Sequence, residues 1–105
     1  MELELVVGEE VHRVEVPEYL LREAAELFEK LDRDMARGWQ MSRRWEPAPN
    51  TRQRCQIVAD RMLTAIYQQR HQFVGVACAY IAKNMPGVRR VYIDTAGDMT
   101  QTEFE

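Results

Sequence analysis

EYLLREAAELFEKLDRDMARGWQMSRRW, residues 18–45, decides how the rest of the chain must be arranged. Leu20, Ala24, Leu27, Leu31 and Met35 recur at spacings of three and four, which places them on one stripe of an α-helix, and Phe28 widens that stripe. Glu26–Lys30 and Glu29–Arg33 stand in the favoured i,i+4 order, each pair adding a few tenths of a kcal/mol. Glu18 suits the positive end of the helix dipole. The first breaker is Gly38, beyond which the pattern resumes to Trp45 before Glu46-Pro47-Ala48-Pro49 ends it. The reading is therefore one helix over 18–45, about 42 Å long at 1.5 Å per residue. A globule of this length has a radius of gyration of only about 13 Å. Either the helix bends at Gly38 or its far end packs on a second subunit; the second is favoured, so a homodimer is expected.

On the N-terminal side, Leu3, Leu5 and Val7 alternate with Glu2, Glu4 and Val6. Beyond Gly8-Glu9-Glu10, His12, Val14 and Val16 alternate with Val11, Arg13 and Glu15. This period of two around a glycine predicts a β-hairpin over 1–16 with one buried face. On the C-terminal side, Asn50 is a good N-cap for a helix over 50–70, with Cys55, Val58, Ala59, Met62, Leu63 and Ile66 inward and Arg52, Arg61 and Gln68 outward. Residues 72–85 are apolar almost all round, which marks a central buried helix closed by Pro86-Gly87. Residues 88–104 read as a second hairpin, Val88 to Ile93 and a weaker strand Met99 to Phe104, turning at Thr95-Ala96-Gly97-Asp98. The fold class is α+β: a single domain over 1–105, with a small antiparallel sheet packed on three helices, the first one long.

At 105 residues the chain suits one domain, and 46% hydrophobic with 30% charged residues fits a globular protein. The acidic start, Met1-Glu2-Leu3-Glu4, lacks a basic region followed by an apolar one, and the longest apolar run, Phe73 to Ala82, cannot span a bilayer. A cytoplasmic protein with no membrane partner is expected. In that compartment Cys55 and Cys78 read as two buried thiols. The net charge of −3 is unevenly spread: residues 1–36 carry −7, residues 37–70 carry +5 and residues 71–105 carry −1.

The most unusual segment is Arg37 to Trp45, which holds both tryptophans and three arginines, with Arg52 and Arg54 soon after. Tryptophan and arginine are the residues most enriched at binding hot spots. Trp39, Met41 and Trp45 are the candidate contact residues of a small interaction, scaffold or regulatory protein that captures a protein partner or a second copy. The alternative is an anion or phosphorylated small-molecule site, possibly enzymatic, in which Arg43, Arg44, Arg52 and Arg54 gather around a pocket and grip oxygen atoms with paired bonds. Nucleic acid is disfavoured because the acidic first third mixes the field that phosphates would meet.

Catalytic constellations are not legible, and no cofactor or metal is expected. Asp94-Thr95-Ala96-Gly97 has the D-x-x-G form of a nucleotide switch, but there is no G-x-x-x-x-G-K-[ST] loop to go with it, and a turn accounts for these residues. Glu9 and His12 have E-x-x-H spacing across a turn and strand, where it converges nothing. The carboxylates of the first helix, Asp32 among them, read as a solvated face. Ser42, the only serine, is read on a helix rather than a strained elbow. His71 reads as a helix-end residue favourable to the dipole at the C-terminus of the second helix.

Overall fold

Strand β1 (Glu2–Val7) and strand β2 (Glu10–Glu15) form the expected hairpin in a computed structural model that describes residues 1–105. Leu3, Leu5 and Val7 all point into the core, as the alternation demands, and Leu5 pairs across from His12. Burying a side chain such as Leu5 contributes about 1.5–3 kcal/mol. Gly8 closes the two-residue turn at φ +62°. The opposite face of this sheet is open to solvent, where Val11 is 53% and Tyr92 37% exposed.

The long helix is not formed. Residues 18–45 instead make helix α1 (Glu18–Glu23), helix α2 (Ala25–Ala36), strand β3 (Trp39–Met41) and strand β4 (Arg44–Glu46). Ala24, 4% exposed, bends the path between the two helices, and no residue type marks the break in advance. Past Ala36 the chain reverses at Gly38, whose φ of +102° is open to glycine and strained for anything with a Cβ. The Trp45 ring lies where that Cβ would be, and the Glu46 carbonyl oxygen would be 3.1 Å from it. Because the helix stops at Ala36, no rod projects; the molecule measures 33 × 33 × 26 Å with a radius of gyration of 12.8 Å. The break also shifts which residues face inward. Ala24, Phe28, Leu31 and Met35 are buried, while Leu27 is left 49% exposed at the edge of the stripe.

Helix α3 (Thr51–Tyr67) begins with a reciprocal cap: the Gln53 N–H donates to Asn50 Oδ1 at 2.8 Å, and the Asn50 N–H donates to Gln53 Oε1 at 2.8 Å. Helix α4 (His71–Asn84) follows a tight corner at Gln69, φ +58°. His71 thus opens the fourth helix rather than closing the third. Strand β5 (Arg90–Ile93) pairs parallel to β1, and strand β6 (Glu103–Phe104) pairs antiparallel to β5 across a 3₁₀ turn at Met99–Gln101. The main sheet, in order β2-β1-β5-β6, is therefore mixed rather than antiparallel, and β3–β4 stands apart as a ribbon of two strands. The crossover from β1 through the helices to β5 is long enough to return the chain in the parallel sense. The α+β class holds, with four helices in place of three. Leu3, Leu5 and Val91 share one apolar cluster with Ile57, Val58, Met62, Cys78 and Ile81 of α3 and α4. No helix is long and apolar enough to cross a membrane.

Candidate functional site

The ribbon exists because three local choices agree. Gly38 permits the reversal, Trp45 covers it, and Met41 is 2% exposed and anchors the strand in the core. Its two-residue turn, Ser42-Arg43, places Ser42 at φ +59°, a conformation usually given to glycine. Gln40 Nε2 donates to the Ser42 carbonyl at 3.1 Å, and Gln53 Nε2 donates to Glu46 Oε2 at 3.3 Å, fastening β4 to α3. Ser42 and Asp98 line the same open cleft, which sets the ribbon tip beside the β5–β6 connection. The Thr100 hydroxyl is the main reason that the Asp98 carboxyl sits below the usual carboxylate range, with the Thr100 N–H, Ser42 and Gln101 adding to it.

The three candidate contact residues are thus separated by burial. Met41 is core, Trp39 is half-buried against the core, and Trp45 is 56% exposed. The four arginines do not meet at one site. Arg43 and Arg44 are exposed, enter no ion pair, and line an open cleft of about 610 Å³ together with Ser42, Gly97, Asp98 and Thr100. Arg52 is held by Glu103 at 2.7 Å and lies over the Phe104 ring at 5.5 Å. Arg54 donates to the Pro49 carbonyl and to Asp32 Oδ1, each at 3.1 Å. Arg52 and Arg54 therefore tie elements together, and of these four arginines only Arg43 and Arg44 are unpaired.

Several polar groups have structural work that residue spacing did not reveal. Tyr80, 1% exposed, donates its hydroxyl to Asp32 Oδ1 at 2.5 Å and meets the Phe28 ring edge-on at 5.9 Å. Burial first, and Asp32 second, push the Tyr80 phenol above its ordinary range. Asp32 is thus an acceptor shared by α3 and α4 rather than part of a solvated face. Gln56, 5% exposed, donates Nε2 to the carbonyls of Thr100 and Thr102 at 3.2 and 3.1 Å, which pins the C-terminal segment to α3. Asp94 Oδ2 accepts from the N–H groups of Ala96 and Asp98 at 3.0 and 2.8 Å, so the D-x-x-G segment is a turn held by its own aspartate.

Nucleophilic chemistry finds no support among the thiols. Cys55 and Cys78 are fully buried and free, and burial pushes each thiol up to about 12, the Asp32 charge adding to the effect at Cys55. Neither forms a thiolate at neutral pH. Nowhere do three or more His, Cys, Asp or Glu side chains gather closely enough to hold a metal ion. No protein-family model, no curated protein and no solved structure matches this chain.

Proposed function

We propose that the chain is a non-enzymatic interaction protein that uses the β3–β4 ribbon as its contact surface, with Trp45 as the anchor and Arg43 and Arg44 as flanking cations. The observation that carries this reading is one exposed indole beside two unpaired guanidiniums on a single short ribbon. A large aromatic loses little conformational freedom on docking, and arginine binds carboxylates through two parallel bonds, so an acidic partner surface fits both groups. A second copy offers such a surface in the exposed Glu23, Glu26 and Glu29 of α1 and α2, which keeps the homodimer as one form of the proposal even though no projecting rod requires it. Met41 takes no part in contact, and Trp39 sets the ribbon's seat.

Sedimentation of the wild type over about a hundredfold range, from about 1 to 100 µM, paired with affinity capture from the native host, tests the proposal through W45A and R43E/R44E. A dimer lost in both variants identifies a second copy as the partner. A monomer whose captured protein is lost in both variants identifies a different one. Variants that sediment and capture as the wild type does would reject the ribbon as a contact surface.

A further inference from the structure

Arg61 carries an observation that the ribbon does not explain. It lies on α3 with its guanidinium carbon 5.2 Å from the centre of the Phe73 ring, and its Nη1 is enclosed without any hydrogen-bond acceptor. Enclosing a donor without a partner is unfavourable, and more so when it is charged. The Arg61–Phe73 pair borders two clefts. One, of about 380 Å³, lies where α2, α3 and α4 meet, with Leu27, Leu31 and Val76 as apolar wall and Lys30 and Asp34 beside them. The other, of about 280 Å³, is lined by Asp60, Thr64, Gln68 and Arg70. The larger volume falls within the range of small-molecule sites, which combine apolar walls with a few fixed polar groups.

We propose that this groove binds a small apolar monocarboxylate, its carboxylate on Arg61 and its hydrocarbon body along Leu27, Leu31 and Val76. The guanidinium fork matches a carboxylate. Asp34 on one side and Asp60 on the other oppose a second negative charge, which selects a monoanion over a phosphate dianion. Burial and the Asp94 charge already raise the Asp60 carboxyl above its ordinary range, so further negative charge beside it is unfavourable. The half-exposed Leu27 gains cover when the hydrocarbon is in place.

Titration of the full chain with octanoate at pH 7, followed by calorimetry, tests the site, with octanol and octyl phosphate as comparators. Octanoate is expected to bind at least about tenfold more tightly than either comparator, a difference of about 1.4 kcal/mol. Arg61→Gln removes the charge, and Leu27→Asp, on a half-exposed position that leaves the core intact, places a like charge in the groove; each is expected to weaken octanoate at least about tenfold. No octanoate binding at millimolar concentration, equal binding of octanol, or unchanged binding by Leu27→Asp would each overturn the proposal.

Discussion

Val7-Gly8-Glu9-Glu10 and Met41-Ser42-Arg43-Arg44 close two hairpins in the same way: each has a two-residue turn whose first residue alone has positive φ, +62° at Gly8 and +59° at Ser42. The surroundings of the two differ. The first hairpin is half of a four-stranded sheet, with Leu3 and Leu5 fully buried beneath it. The second has no other strand beside it, and an isolated two-stranded hairpin is marginal in water. It persists because Met41 reaches the core, Trp45 covers Gly38, and Gln53 fastens Glu46 to α3. One hairpin is stabilised by its own apolar face, the other by what it happens to touch. A ribbon of the second kind can present a tryptophan to solvent, because Trp45 covers Gly38 and still leaves 56% of itself exposed.

The largest effect should come from the first hairpin. Leu5→Ala removes a fully buried side chain and is expected to cost about 2–5 kcal/mol in chemical denaturation, with loss of the whole structure in one transition. A cost below about 1 kcal/mol would mean that the main sheet is not the seat of stability.

Backbone substitutions sharpen the contrast. Gly38→Ala is expected to cost about 1–3 kcal/mol, since it strains φ and evicts the Trp45 ring, and tryptophan emission should shift to the red before global unfolding begins. At the paired turns, Gly8→Ala should destabilise by about 1–2 kcal/mol, whereas Ser42→Gly should relieve part of the same strain. If both turn variants move the unfolding midpoint in the same direction by the same amount, the two turns do not differ in strain.

The smallest effect is in acid. Because the folded-state Asp98 carboxyl is held below its unfolded value, its stabilising contribution is complete above the ordinary carboxylate range, near pH 4, and fades as pH falls through the lower folded value. Asp98→Asn should therefore loosen the 3₁₀ turn at Met99–Gln101 at pH 7 and flatten the loss of stability seen on acidification below about pH 4, as followed by thermal unfolding across that pH range. An acid profile identical to that of the parent would show that Asp98 does not secure that turn.

The two halves of the opening stretch show why local pattern failed where it did. Residues 25–36 place Phe28, Leu31 and Met35 inward by helical spacing, and they form a helix. Residues 39–45 satisfy a helical repeat equally well, since seven residues give too few apolar positions to separate a period of 3.6 from one of two. The turn signal was hidden as well, because Ser42 occupies a position where glycine is the recognisable marker. Of the candidate site, Trp45, Arg43 and Arg44 were visible by residue type. The removal of Arg52 and Arg54 was not, for Glu103 and Asp32 lie 51 and 22 residues away in the chain. Arg61 looked like a surface residue on helical phase, and nothing in that phase reveals that the Phe73 ring of α4 comes to 5.2 Å from its guanidinium carbon.

By itself the amino-acid sequence determined the first hairpin, the Asn50 cap of α3, the apolar character of α4, the turn at Asp94 and the unequal spread of charge, because each depends on residues within a few positions of one another. Tertiary structure alone decided that β5 lies parallel to β1, that the chain reverses at Gly38, and which arginines remain unpaired. Those outcomes are set by contacts between distant residues, and the free energy of such a contact is spent or gained only once the partner has arrived.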